Sequence, residues 1–280
     1  MKLRFAAGIL VLALAPAALF AAEGTFDKSL QVNGAATLKV STGSGYIHIT
    51  PGPDGSIHII GHVHSSNGLF SGSPEENVRR VTSNPPITQS GNDIEVGKHT
   101  HSRDVSIDYV ITAPRGTSVI ATAGSGDINV SNLGAPLRAA TGSGTIEAND
   151  LTGDVDLNAG SGDVRAMMNH ADHVRVGTGS GNIHLTGVSG GLYAEAGSGD
   201  IEIGGNPGSG WKVVTGSGNV TLSTGNSRYT LNASTGSGDV HSDPPLVPRD
   251  NSNPHHVIGD IYGGGPTVHV QTGSGNIRIR

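Results

Sequence analysis

The chain has 280 residues, no cysteine, a formal net charge of −6 and only 4% aromatic residues, whereas 44 residues are glycine. The glycine share is about twice the usual ~7%, which predicts a chain that turns often around a thin core of Val, Ile, Leu and Ala. The absence of cysteine excludes disulfides and a lipid-modified cysteine. The acidic balance without any basic run argues against nucleic acid and anionic lipid as partners.

Residues 1–22 have the pattern of a secretory signal peptide. Lys2 and Arg4 form a positive start, residues 5–19 form an apolar run, and small residues follow up to Ala22. We therefore expect an exported protein, either periplasmic or at the cell surface, whose mature chain has no membrane span. A short membrane anchor is the alternative, but the run is shorter than the ~20 apolar residues that a spanning helix needs.

Residues 23–118 are predicted to form an irregular N-terminal β region that caps the repeats. Runs with strand character lie at residues 37–40, 46–49, 56–60, 93–96 and 105–112. Residues 65–86 are rich in Ser, Asn, Gly and Pro and predict a surface loop. Helical periodicity is absent outside the signal peptide. The region holds a single copy of a short glycine motif, which begins at Gly43.

This motif, Gly-Ser-Gly followed mostly by Asp or Asn and then by Ile or Val, recurs through residues 119–280 and predicts a repeat domain. Its nine copies begin at Gly43, Gly124, Gly142, Gly160, Gly179, Gly197, Gly216, Gly236 and Gly273. The copies from Gly124 to Gly236 follow one another at a nearly constant step of about 18 residues. The last step, of about 37 residues, is interpreted as two steps with one motif lost.

Each repeat is predicted to carry two short strands. Apolar and polar residues alternate after the motif, as in Ile128-Asn129-Val130, and again before the next copy, as in Leu137-Arg138-Ala139. The fold class is therefore all-β. The repeats form either a parallel β-solenoid, in which the motif is a corner between two faces, or an antiparallel β meander, in which it is a hairpin turn. In both, the glycines would supply positive φ angles and let backbones approach closely at the corner.

The residue after the motif favours the solenoid. In chain order from the second copy it is Asp127, Thr145, Asp163, Asn182, Asp200, Asn219, Asp239 and Asn276. Identical acids on rungs ~4.8 Å apart would repel one another, and alternation with a neutral residue about doubles their separation. The same alternation also fits a turn of ~37 residues, so turns of about 18 and about 37 residues both stay open.

The C-terminal part of the repeat domain has a break. Residues 242–256 are rich in proline and are predicted to loop out in place of the lost motif. The last strand, Ile277-Arg278-Ile279-Arg280, is expected at an exposed edge, where its charges would discourage pairing with another molecule. The predicted organisation is a signal peptide at 1–22, the N-terminal β region at 23–118 and the repeat domain at 119–280.

Two kinds of residue could bind a metal ion. The corner aspartates are reminiscent of calcium β-rolls, but calcium needs six to eight oxygen ligands, so we expect these carboxylates to bind the corner backbone instead. His62 and His64, and likewise His99 and His101, are two residues apart and would share one face of a strand. Four imidazoles could then meet and bind Zn or Cu. Solvated histidines are the alternative, and no cofactor is predicted.

Neither catalysis nor sugar stacking has a strong signature. The outward rows mix charges, with Glu147, Arg165, His184 and Glu202 on one face and Arg138, Asp156, Arg175 and Glu195 on the other. Such rows are typical of links between rungs rather than of paired catalytic carboxylates, so we expect no enzyme. The aromatic residues of the repeats, Tyr193, Trp211, Tyr229 and Tyr262, could stack on carbohydrate only if they are exposed.

The segment Tyr109-Val110-Ile111-Thr112-Ala113-Pro114-Arg115-Gly116, with Ala123-Gly124-Ser125-Gly126-Asp127-Ile128 and the recurring units, resembles the bacterial putative-adhesin family of β-strand-repeat envelope proteins of unknown function. The resemblance spans about residues 26–280 and implies an exported β-solenoid-like protein without established catalytic residues. We predict a non-catalytic structural or interaction protein, an adhesin-like binding module whose partner is an envelope protein or a polysaccharide. The alternatives are an envelope-stress or regulatory partner that senses a ligand and, third, a polysaccharide-active solenoid enzyme.

Overall fold

The computed structural model describes residues 22–66, 73–97, 105–169, 171–249 and 253–280. The predicted signal peptide, except for Ala22, lies outside these ranges. Among the described residues no helix is long and apolar enough to cross a membrane.

The described residues form two facing sheets and one short helix. The first part of the chain contributes β1 (Ala22–Gln31), β2 (Thr37–Thr42), β3 (Ile47–Pro51), β4 (Ser56–Ser65), α1 (Pro74–Ser83), β5 (Ile87–Ser90), β6 (Asp93–Val96) and β7 (Val105–Ala113). The middle contributes β8 (Ser118–Ala123), β9 (Ile128–Ser131), β10 (Leu137–Thr141), β11 (Ile146–Leu151), β12 (Val155–Ala159), β13 (Val164–Met168), β14 (His173–Thr178), β15 (Ile183–Val188), β16 (Gly191–Ser198), β17 (Ile201–Gly205), β18 (Trp211–Ser217) and β19 (Val220–Ser223). The last part contributes β20 (Tyr229–Ser237), β21 (Val240–Ser242), β22 (Leu246–Pro248), β23 (His256–Ile261), β24 (Thr267–Ser274) and β25 (Ile277–Ile279).

One rung of the fold is a strand that precedes the motif, the Gly-Ser-Gly corner and the strand that follows it. The strands that follow the motif lie in a 12-stranded sheet, called sheet A, and those that precede it lie in a 13-stranded sheet, called sheet B. Neighbouring rungs pair in parallel: Leu137 lies opposite both Val119 and Val155. One turn therefore takes about 18 residues. This register confirms the parallel β-solenoid and excludes the antiparallel meander and the longer turn of two repeats.

The core is the thin layer between the two sheets. Ile128 and Val130 of sheet A are fully buried, and so is Ala139 of sheet B, whereas the alternate residue Asn129 faces outward. Because the rungs are in register, each inward position forms a continuous ladder of Val, Ile, Leu or Ala from rung to rung. Burial of these apolar ladders on both sides of the layer is the main stabilising contribution.

The corner glycines are required by the close stacking of the rungs. A Cβ atom added to Gly126 would overlap the carbonyl oxygen of Gly45 on the adjacent rung. Among the described motif glycines only Gly238 and Gly275 have positive φ, at 140° and 149°. The expectation that the motif glycines supply positive φ is therefore wrong for most copies. The expected close approach of backbones is confirmed, because neighbouring rungs leave no room for a Cβ atom.

Buried threonines close the corner on alternate rungs from β10 to β18, and on the neighbouring rungs of β24 and β20 at the C-terminal end as well. Thr178 donates its hydroxyl hydrogen to the carbonyl oxygen of Gly162 at 2.9 Å and accepts the N–H of Gly181 at 3.1 Å. The same bond to the preceding rung is made by Thr141 at 2.9 Å and by Thr215 at 3.0 Å. Rungs with Ala before the motif lie between these rungs. Each turn of the solenoid is thus a single rung, and the period of two rungs in the sequence comes from the alternation of residue types, here Thr and Ala before the motif.

At the N-terminal end, chain order and spatial order differ. The rung β2–β3 pairs on one side with β8 and β9 and on the other with β6 and β7, which come later in the sequence. Antiparallel strands complete this end: β4 and β1 extend sheet A, and β5 extends sheet B. The residues from β1 to β7 thus contribute two rungs as well as capping strands.

Helix α1 packs on β1 and β4 within the stretch 65–86 that we predicted as a loop. That prediction is wrong for residues 74–83, as is the predicted absence of helix. The side chain of Ser73 accepts the N–H of Glu76 at 3.2 Å, Pro74 occupies the first turn, and Val78 and Val81 are buried. This capping arrangement starts a helix that packing against the sheet then stabilises.

The C-terminal end has the same kind of exchange. The last rung in the sequence, β24–β25, lies between β18–β19 and β20–β21. The expectations of a lost motif and of an exposed edge strand at residues 277–280 are therefore wrong, because β25 has a partner on each side. The proline-rich stretch 242–256 contains β22, which pairs with β23, and β23 in turn extends sheet B beside β20.

Candidate binding surface

His62 and His64, two of the four histidine candidates, lie on the outer face of sheet A. The ring Nδ1 of His62 is 3.4 Å from the hydroxyl oxygen of Thr25. His64 contacts two carboxylates, with Nε2 3.1 Å from Asp108 and Nδ1 3.5 Å from Glu23. His99 and His101 lie outside the described residues, so a meeting of four imidazoles stays a prediction. In the described part of the chain no three His, Asp or Glu side chains are placed to hold a metal ion.

The corner aspartates bind the backbone of the next rung. Asp163 Oδ1 accepts the N–H of Asn182 at 2.8 Å, and Asn182 Oδ1 accepts the N–H of Asp200 at 3.0 Å. Asp200 Oδ1 in turn accepts the N–H of Asn219 at 2.7 Å. The hydrogen bond from Asn182, with a smaller contribution from Arg165, lowers the pKa of Asp163 below its usual value. The expectation that the corner carboxylates bind backbone is confirmed, with the backbone of the next rung as their partner, and the neutral Asn182 makes the same kind of bond.

Two of the four repeat aromatics are part of the core. Trp211 and Tyr229 are at most 2% exposed, and the Trp211 indole N–H donates to the Gly190 carbonyl oxygen at 3.0 Å. They are therefore not available for stacking on a ligand. Tyr262 is 40% exposed in the turn between β23 and β24, and Tyr193 is half-buried on the outer face of sheet B.

A row of mostly polar side chains, here called the outer row, crosses the outer face of sheet B. In register from strand to strand it contains Ile120, Arg138, Asp156, Arg175, Tyr193, Lys212, His269 and Asn232. Arg138 Nε is 3.2 Å from the Asp156 carboxylate, which is a link between rungs of the kind that mixed charges predict. On the outer face of sheet A, His184 and Glu202 form a similar link at 3.2 Å.

An open groove of about 620 Å³ runs beside the outer row and crosses β8, β10, β12, β14 and β16. Arg138, Arg175 and Tyr193 line one side of it. His173 and Gly191 line the other side, where the missing side chain of Gly191 widens the groove. A second groove of about 370 Å³ lies on the far side of Arg175 and Tyr193. The two side chains therefore form a ridge between two grooves.

Tyr193 lies between two cations. The Arg175 guanidinium carbon is 5.0 Å from the ring centroid and the Lys212 Nζ is 5.6 Å from it. The two cations come from the strands on either side of Tyr193, so both ring faces are covered. The phenol donates to Glu195 Oε2 at 2.6 Å, and this bond raises the pKa of Tyr193. The ring is thus fixed in place, and it holds the two cations apart rather than offering a free stacking surface.

Sequence reasoning placed Arg138, Asp156 and Arg175 on one face but did not connect Arg175 with Tyr193 and Lys212. The sequence contains the relation, because Tyr193 follows Arg175, and Lys212 follows Tyr193, by a single step of the repeat. Residues one repeat apart become neighbours only in a parallel solenoid with one rung per turn. While the length of a turn was open, this relation could not be drawn.

The sequence profile of the family described as Toastrack DUF4097 matches residues 86–280, which is more than half of the chain. The chain belongs to this family. No functionally curated protein matches the sequence.

Among solved structures the Toastrack fold found here is similar to that of a putative adhesin from Bacteroides fragilis NCTC 9343. The two chains are 14% identical over 92% of this chain and 97% of that one, with a TM-score of 0.51. A putative cell adhesion protein from Clostridium sporogenes ATCC 15579 is 16% identical, with 92% and 99% of the chains covered and a TM-score of 0.32. At 14% identity, the similarity to the Bacteroides protein concerns the fold alone.

Proposed function

We propose that this Toastrack protein is an exported, non-catalytic binding module of the cell envelope and that the groove on sheet B holds a polysaccharide. The observation that carries the proposal is the groove of about 620 Å³ that follows the solenoid axis across five strands. Its volume is in the range of ligand sites, which is about 300–1,000 Å³, and it is open along its length, as a chain-like ligand requires. The predicted signal peptide and the adhesin name of the Bacteroides neighbour support the envelope location.

The regular spacing of the lining favours a polymer of repeating units. Side chains at the outer row recur at every strand, about 4.8 Å apart. Their Arg groups can bind hydroxyl or carboxylate oxygens of a ligand, and their Asp groups can accept hydroxyl hydrogens. The ion pair Arg138–Asp156 and the hydrogen-bond contact between His173 and Asp154, both at 3.2 Å, orient these groups before a ligand arrives. Preorganised side chains lose less conformational entropy on binding.

The experiment measures retardation of the purified, exported protein in gels that contain hyaluronan, polygalacturonate or dextran. Gly191→Gln fills the groove, and its Cβ would meet only ordinary contacts of 3.9 Å. Gly204→Gln on the outer face of sheet A is the matched control, with contacts of 3.8 Å or more. We expect at least one polysaccharide to retard the wild type and the control but not Gly191→Gln. The proposal is refuted if no polysaccharide retards the wild type, or if Gly191→Gln is retarded like the control.

A further inference from the structure

The cations of the outer row are two rungs apart. Arg138, Arg175 and Lys212 stand on alternate strands, with Asp156 and Tyr193 on the strands between them. Because neighbouring strands are about 4.8 Å apart, successive cations are about 10 Å apart along the solenoid axis. The backbone pairing of the sheet fixes this period, so a ligand meets positive charges at regular intervals.

Two of these cations are free to bind an anion. Arg138 is paired with Asp156, but among the described residues no ion pair is made by Arg175 or Lys212. Arg175 and Lys212 are both exposed. Within the described ranges, the ring of Tyr193 is the only charged or aromatic group that either side chain contacts. An exposed cation over a tyrosine ring gains only about 0.5–1 kcal/mol, so an anionic ligand group would compete with this contact easily.

The carboxylates that line the grooves already have partners. Asp156 is bound by Arg138 at 3.2 Å and by the Asn158 amide at 2.7 Å. Asp154 is paired with His173 at 3.2 Å, and Glu195 accepts the Tyr193 hydroxyl at 2.6 Å. These three carboxylates formally balance Arg138, Arg175 and Lys212, so the face has no excess of positive charge. What an anionic ligand would find here are two cations, Arg175 and Lys212, without an ion-pair partner among the described residues.

We propose that an acidic polysaccharide lies in the groove and continues past its end at Tyr193 onto the next strand. Every second sugar of this ligand carries an anionic group, with successive anions at Arg175, which lines the groove, and at Lys212, which lies just beyond it. This inference rests on the proposed function and specifies its substrate class. A period of about 10 Å spans two sugars of an extended chain. A nucleic acid has a phosphate per ~3.4 Å along each strand, so its charges do not match the spacing of the outer row.

The test compares three octasaccharides by calorimetry with the exported protein. Hyaluronan has a carboxylate on every second sugar, carboxyl-reduced hyaluronan has the same backbone without charge, and oligogalacturonate has a carboxylate on every sugar. We expect hyaluronan to bind about tenfold or more tightly than the reduced form, as the loss of charge-assisted bonds predicts, and more tightly than oligogalacturonate. Its affinity should also fall as salt is added.

Variants of the protein test whether the cations of the outer row are the ones that bind the carboxylates of hyaluronan. Arg175→Ala with Lys212→Ala should reduce the affinity for hyaluronan to that for the reduced form. Arg79→Ala with Arg280→Ala removes two exposed charges elsewhere and should leave the affinity unchanged. Equal binding of hyaluronan and its reduced form would overturn this inference but leave the proposed function standing. Tighter binding of oligogalacturonate would overturn the two-rung spacing, and no binding of any probe to the wild type would overturn both proposals.

Discussion

Asp163 Oδ1 accepts the backbone N–H of Asn182 on the next rung at 2.8 Å, and Asp163 Oδ2 binds Arg165 at 2.7 Å. Both bonds favour the ionised carboxylate, so folding lowers the pKa of Asp163. A lowered pKa contributes stability that is fully present above the ordinary value of ~3.9 and is lost as the pH falls through the lower, folded value.

Asp163→Asn is therefore expected to make the protein less sensitive to acid. The amide oxygen can still accept the Asn182 N–H, but no proton binds as the pH falls. Thermal unfolding followed by circular dichroism should show a smaller fall in Tm between pH 7 and pH 3 than in the wild type. Asp172→Asn, an exposed carboxylate for which no side-chain bond is described, is the control and should behave like the wild type. An unchanged pH profile for Asp163→Asn would contradict the account.

Thr178→Val should destabilise the solenoid by about 1–3 kcal/mol. The substitution keeps the shape but leaves the Gly162 carbonyl and the Gly181 N–H without the hydroxyl, and both lie in a buried corner. For a protein of this size the Tm should fall by several degrees. Thr221→Val, on the outer face of sheet A and without a described side-chain bond, should change Tm by less than one degree or so. Equal effects of the two substitutions would refute a role for the corner hydroxyl.

Gly126→Ala should cost about 3 kcal/mol or more, at the upper end of overpacking. The new methyl group overlaps a backbone oxygen of Gly45, and backbone in a continuous ladder cannot move aside as a flexible side chain would. Gly116→Ala is the control, because its Cβ would contact nothing within 4 Å. Urea unfolding of both variants would decide the matter. If Gly126→Ala unfolded at the same urea concentration as Gly116→Ala, the packing explanation of the motif would fail.

Val268→Asp should shift the fluorescence of Trp211, the single tryptophan, to longer wavelength. Val268 lies directly opposite Trp211 because β24 is inserted beside β18, and both side chains are buried. A buried unpaired carboxylate would separate the two strands and admit water. Val247→Asp changes a valine that is 65% exposed in β22 and should leave the emission as it is. An unshifted spectrum for Val268→Asp would mean that the two rungs are not adjacent.

The local structure of the repeats could be predicted from the sequence because each rung repeats the same requirements. The alternation in Ile128-Asn129-Val130 determines which side chains face the core, and the acid ladder follows from the distance between strands. The sequence predicts two reasons for the corner glycines, positive φ and close approach of backbones, but it cannot say which one applies, because both select glycine. Only the position of Gly45 beside Gly126 distinguishes them.

The two ends of the solenoid could not be predicted because they depend on which rungs meet. The long step from Gly236 to Gly273 fits a lost motif as well as an inserted rung, since both place the same apolar residues inside. Helix α1, by contrast, had a local signal. Ser73, Pro74 and Glu76 form a helix start, but the following residues offer only Val78 and Val81 as an apolar side, which is too few to show a helical period.

The insertion of one rung at each end limits how such a protein can change in length. Between β8 and β19 each rung follows its predecessor both in sequence and in space. A single repeat unit could be duplicated or deleted there, and the new neighbours would pair as the old ones did. Outside that interval, strands that are neighbours in space are not consecutive in the sequence. A unit added there would separate strands that now pair with each other. Growth of the solenoid by duplication is therefore confined to its centre, which is also where the groove lies.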